Sequence, residues 1–197
     1  MKDIIVILSI FSLLLGATFA TIIINTPDAT PAHSVPAPSD VDFLEKLWST
    51  CQASSTPGRK TLLLSQVERV SREHFNSRNE REAFALLLCI ESKFNPSARS
   101  KAGAIGLAQI IPAYATEFLG QEVNAKDLED AEVNLTVGAK RFKALLEKFE
   151  GNVALALSGY NSGADSPTTK GLKVLKVGHT ETMGYISRFY TLQEQMK

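Results

Sequence analysis

Glu91 closes an unbroken run of apolar and small residues, Phe84-Ala85-Leu86-Leu87-Leu88-Cys89-Ile90. A carboxyl group partly withdrawn from water is harder to ionise, so its pKa rises and it can hold a proton near neutral pH. A general acid needs that property to protonate a leaving oxygen. The other reading of the same residue is a glutamate on the solvated face of a helix end, where most glutamates sit. Beyond Glu91 the chain changes character, and Ser92 to Pro112 mixes polar and small residues that include Ser100, Gly103, Gly106 and Gln109. Gln109 brings both a donor and an acceptor. The two glycines suit either an ordinary turn or a backbone that approaches a ligand closely. The histidines, His33, His74 and His179, are scattered, with no HExxH or CxxC spacing. No metal and no cofactor is therefore expected.

The elements that must hold Glu91 read as helices. Apolar residues recur at three-to-four spacing, and no segment alternates with period two, so the fold class is all-α. A first helix begins near Val41, with Asp40 as its cap and Phe43, Leu44, Leu47 and Trp48 on one face. Ser54 to Gly58 breaks it. A second helix is expected from about Lys60 to His74 and a third from about Glu80 to Phe94, stopped by Pro96. Glu91 then sits in the last turn, close to a loop. Leu107 to Phe118 is expected to form a short helix closed by Gly120, and Ala131 to Glu150 a long one ending at Gly151. A short helix runs from Val153 to Tyr160, Asn161 to Lys170 reads as a loop, and a last helix covers Thr180 to Gln195.

Lys plus Arg and Asp plus Glu are equal, at 21 each, so no global field draws this chain to nucleic acid. Met1-Lys2-Asp3 precedes an uncharged stretch, Ile4 to Ala20, ending Ala-Thr-Phe-Ala, the pattern of an export signal. Ile22 to Ile24 prolong it towards the about 20 residues that span a bilayer, so residues 1–24 read as a cleaved signal peptide or a retained anchor. Residues 25–40 hold four of the eight prolines and form a linker. Residues 41–197 form one domain. Outside the cytoplasm Cys51 and Cys89 are free to form a disulfide, although Cys89 in its apolar run equally suits a small buried hydrophobe.

Glu91 to Pro112 resembles the first motif of the SLT-type lytic transglycosylases, E-S-x-F-N-P-x-A-x-S-x-x-G-A-x-G-L-x-Q-x-x-P, at all thirteen specified positions. Ala156-Leu157-Ser158-Gly159-Tyr160-Asn161-Ser162-Gly163 and Glu181-Thr182-Met183-Gly184-Tyr185-Ile186 resemble two later blocks of that family, in the expected order. The resemblance, covering roughly residues 75 to 192, implies a lysozyme-like helical domain. It also implies cleavage of the β-1,4 bond between N-acetylmuramic acid and N-acetylglucosamine in peptidoglycan, giving a 1,6-anhydro product. Glu91 is implied as the catalytic acid, working without a second carboxylate. Ser100 and Gln109 match positions that line the family's cleft, and Tyr160 and Asn161 match a Tyr-Asn pair beside the carboxyl and a sugar N-acetyl group. Tyr185 matches a late tyrosine, which either offers its ring face to a pyranose and its hydroxyl to polar partners or sits in the core with its hydroxyl satisfied, and Glu181 either orients the cleft or caps the last helix.

Two departures stand out. Ala108 replaces a frequent methionine, which is expected to alter the shape of a subsite. Ser162-Gly163-Ala164-Asp165 replaces the usual Ala-Gly-Pro-Gly. The implied partner is the peptidoglycan glycan strand, opened locally for a secretion, conjugation or phage apparatus, with membrane contact only if the N-terminal segment is retained. A goose-type-lysozyme-like hydrolase and a wall-binding assembly factor without turnover are the alternatives.

Overall fold

Leu86, Leu87 and Leu88 succeed one another without a polar break, so the helix that carries them must be enclosed on nearly every side. In the computed structural model, which describes residues 40–166, 169 and 180–197, this is α3 (Arg78–Ser92), with Ala83 to Cys89 all buried. The expected signal or anchor, all but the last residue of the linker, His33 and His179 lie outside the described residues. The other helices are α1 (Asp40–Thr50), α2 (Pro57–His74), α4 (Pro112–Leu119), α5 (Ala131–Lys148), α6 (Val153–Ser162) and α7 (Thr180–Gln195). Asp127–Glu129 forms a 3-10 turn. Among the described residues, β pairing is confined to two isolated antiparallel bridges, Arg99 with Ile105 and Ile105 with Ile110. The all-α expectation holds. Helices α1, α2 and α7 pack on α3, while α5 packs on α2, α4 and α6, and α6 on α7.

Local chemistry sets the ends of α3. The Ser77 hydroxyl accepts from the Glu80 amide at 3.2 Å and the Glu80 carboxylate accepts from the Ser77 amide at 3.1 Å, a reciprocal cap of about 1 kcal/mol. The helix therefore starts two residues before Glu80. It stops at Ser92, short of the expected Phe94, because Lys93 and Phe94 both adopt left-handed backbone, at φ 52° and 58°. Such a conformation costs a non-glycine residue about 1–2 kcal/mol. Burial of Phe94 and its stacking on Trp48, at 5.6 Å between centroids, offset that cost. Glu91 stays in the last turn, as expected.

Other boundaries shift for similar reasons. Helix α2 starts at Pro57 because proline suits the first helical position. Helix α4 starts at Pro112 instead of Leu107, since Leu107 to Ile111 belong to the preceding loop. Helix α6 runs on through Asn161 and Ser162, moving both out of the expected loop. Asp40 is not a cap but the first residue of α1. Its carboxylate accepts from Arg81 Nε at 2.9 Å and pairs with Arg72 at 3.0 Å. Cys51 and Cys89 form a disulfide, with their Cα atoms 5.8 Å apart, tying the end of α1 to α3.

Candidate active site

Helix α5 positions the loop that follows Glu91. Asn134, Gly138, Arg141 and Leu145 fall at four- and three-residue intervals along one face of α5. Asn134, fully buried, accepts from the Ala108 amide at 2.8 Å and donates to the carbonyls of Ile105 at 2.8 Å and Leu128 at 3.0 Å. One side chain thus satisfies Ala108 N and Leu128 O, which would otherwise be orphaned in the core, and adds a second donor to Ile105 O, which also accepts from the Ile110 amide at 2.9 Å. Gly106 has φ +77°, and a Cβ built there would lie 2.3 Å from Asn134 Nδ2. Its glycine is required by that clamp. The Gly106 amide donates to Ala98 O at 2.8 Å and the Gly103 amide to Ser100 O at 3.1 Å. Both amides are spent inside the loop and do not face a ligand.

Ala108 likewise turns inward. A Cβ on Gly138 would lie 2.4 Å from that of Ala108, and Ala108 is fully buried. The expectation that its small side chain reshapes a subsite is corrected, because the side chain packs against α5. Its carbonyl accepts the Tyr160 hydroxyl at 2.8 Å.

The cleft that results has a volume of about 370 Å³, and Glu91, Ser100, Gln109, Tyr160, Asn161 and Glu181 are among its lining residues, with Tyr114 and Arg141. Tyr185, like Ala108, lies behind the wall. Buried on α7, it donates its hydroxyl to Glu91 Oε1 at 2.7 Å, so its ring does not meet the cleft. Tyr160 is buried too, and its hydroxyl is engaged by Ala108 instead of by Glu91. Asn161 Oδ1 accepts from the Thr182 hydroxyl at 3.0 Å, joining α6 to α7 and leaving its amide nitrogen for a ligand. Gln109, at φ 48°, spends its amide nitrogen on Gly106 O at 2.9 Å and Ala98 O at 3.3 Å, so its carbonyl oxygen is what remains. The exposed Ser100 hydroxyl accepts from the Ala104 amide at 3.0 Å.

Half-buried at the end of α3, Glu91 has its pKa raised, above all by burial, with the Tyr185 hydrogen bond and the charges of Arg141 and Arg188 pulling the other way. The proton is held by desolvation while three groups stand ready to stabilise the anion. Burial and the neighbouring Glu91 push the Tyr185 hydroxyl well up, so it stays a donor.

Sequence reasoning missed Tyr114, Asn134 and Arg141. Tyr114 is exposed on α4 and has no polar contact to mark it. Asn134 and Arg141 had a detectable signal, since they share a helical face with Gly138 and the apolar Leu145. Two polar residues at such positions need a partner off the helix.

Residues 71–176 match the Transglycosylase SLT domain family. Membrane-bound lytic murein transglycosylase D of Escherichia coli (strain K12) is 34% identical over 87 residues, 44% of this chain and 19% of that protein. An inactive mutant of lytic transglycosylase Slt from Pseudomonas aeruginosa superposes with a TM-score of 0.54 at 23% identity, covering 65% of this chain and 22% of that one. The 70 kDa soluble lytic transglycosylase of Escherichia coli gives a TM-score of 0.60 at 19% identity, covering 82% and 31%. The chain thus spans less than a third of the length of each of these relatives. At such identities the structural likeness establishes the fold, the lysozyme-like helical arrangement expected from the motifs. The family match extends over more than half of the chain and takes in Glu91, the clamped loop and the Tyr160-Asn161 pair, and the chain belongs to the Transglycosylase SLT domain family.

Proposed function

We propose that the chain is a peptidoglycan lytic transglycosylase in which Glu91 acts first as acid and then as base. The observation that carries this reading is the half-buried Glu91 carboxyl in the cleft, one oxygen tied to the Tyr185 hydroxyl and the other left for substrate. Protonated Glu91 donates to the glycosidic oxygen as the bond from the muramic anomeric carbon breaks. The substrate's acetamido group relieves the positive charge that develops on the sugar. Now a carboxylate, Glu91 is stabilised by Tyr185 and takes the proton of the muramic 6-hydroxyl, whose oxygen closes on the anomeric carbon. One bond breaks, one forms, the proton is returned to Glu91, and no water is consumed. Asn161 and Gln109, each with one polar atom unspent, hold the acetamido and hydroxyl groups. The Cys51–Cys89 disulfide supports an extracytoplasmic setting, because such bonds persist in oxidising compartments.

Glu181 also lines the cleft, which favours a second reading, a hydrolase in which that carboxylate activates water. Digestion of purified sacculi followed by mass analysis separates the two. Muropeptides one water lighter, without a reducing end, are expected; reducing-end products alone would sink the transglycosylase. Glu91→Gln keeps the shape and removes the acid, so it should lower release by about 10²–10⁴-fold while still binding sacculi. Undiminished lysis by that variant would leave Glu91 without a catalytic role and point to another acid.

A further inference from the structure

Arg141 is half-buried on α5, its guanidinium 4.2 Å from the Tyr160 ring centroid and 4.9 Å from that of Tyr114. One of its nitrogens, Nη2, donates to Tyr160 O at 2.7 Å. Among the described residues it makes no ion pair, and residues 167–179 carry no acidic side chain. A guanidinium flanked by two rings keeps its N–H edge as its remaining polar surface, and since its charge acts on Glu91 without an ion pair, that edge is left to meet an anionic group. This edge belongs to the cleft that holds Glu91. Glycan strands carry carboxylates on the muramic unit, either the lactyl group itself or the stem peptide joined to it. We propose that Arg141, backed by Tyr114, is a specificity-determining residue that docks a carboxylate of the muramic substituent. This rests on the reading of the chain as a transglycosylase.

The full chain is tested on intact sacculi, on glycan strands stripped of peptide so that the lactyl carboxylate is free, and on the same strands with that carboxylate converted to a methylamide. Release of anhydro products by the unmodified protein checks the underlying function separately. Arg141→Met should raise KM by about tenfold or more on a substrate that presents the docked carboxylate. On the methylamide strands its KM should match that of the parent protein, while the lost charge beside Glu91 should change kcat equally on all three substrates. A rise confined to sacculi identifies the stem peptide as the source, and a rise on free-carboxylate strands identifies the lactyl group. Arg141→Lys keeps the charge and loses the fork, so it should show the same pattern with a smaller rise, and it carries the test where Arg141→Met melts early. An equal rise in KM on all three substrates, or no rise on any, overturns the proposal. A role confined to the field at Glu91 would instead move the pH profile equally on every substrate.

Discussion

The chemistry at Glu91 turns on one proton and two opposing influences. Burial raises its pKa, while the Tyr185 hydroxyl favours the ionised form. Tyr185→Phe removes the donor, so the Glu91 pKa should climb further. Activity that needs the protonated acid falls as pH rises through that pKa, and the alkaline limb of the pH–rate profile should move to higher pH. The maximal rate should drop by about tenfold, because the anion formed after proton transfer loses a charge-assisted hydrogen bond. An unchanged profile would mean that the contact at 2.7 Å does not bear on the proton. Stability follows from the same shift. Folding disfavours ionised Glu91, so its penalty is absent below the unfolded pKa, grows as pH rises to the folded pKa, and is constant above it. Glu91→Gln lacks the penalty. Its Tm should exceed that of the parent protein at pH 7, and the gap should close at pH 4 or below.

Helix α5 decides the shape of the cleft through a buried clamp. Asn134→Leu would strand Ala108 N and Leu128 O away from water and take one of two donors from Ile105 O, a loss of about 2–4 kcal/mol. A denaturant midpoint measures it. Turnover should fall beyond what the lost stability explains, because Ser100 and Gln109 ride on the released loop. Ala108→Met probes the same contact from the other side. Since the Ala108 Cβ already fills the place where a Cβ on Gly138 would stand, 2.4 Å away, a longer side chain must push the loop off α5. Overpacking of this kind costs about 1–3 kcal/mol. A variant as stable as the parent would show that the loop and α5 can part at little cost.

Across the described fold, Glu91 is held by three pieces that are remote in sequence. Helix α3 supplies its backbone, α7 its hydroxyl partner, 94 residues away, and α5 the clamp on the loop beyond it. The disulfide joins α1 to α3 two residues before Glu91. Closing a loop of 38 residues contributes about 4 kcal/mol in the chain-entropy picture. Reduction, or paired Cys51→Ser and Cys89→Ser changes, should lower the unfolding midpoint by an amount of that order, read by urea titration with and without reductant. Since the bond anchors α3 two residues from Glu91, the proposed acid, kcat should fall as well. Stability unaffected by reductant would count against a structural role.

The helices and the placement of Glu91 in a last turn are legible along the chain, and the motif resemblance carried the grouping of Ser100, Gln109, Tyr160 and Asn161 around one cleft. Apolar spacing, Pro96, Gly120 and Gly151 act locally, so their consequences can be read along the chain. The sequence did not reveal which way the partners face. Tyr185 suits either a sugar face or the core and is a buried donor, the amides of Gly103 and Gly106 are consumed by their own loop, and Ala108 packs inward against Gly138. The roles of Asn134 and Arg141 lie in what meets them from elsewhere in the chain, the 105–108 loop and Leu128 for the one, Tyr114 and Tyr160 for the other. Whether a polar group is spent or available depends on distances across the fold, and only tertiary packing sets those distances.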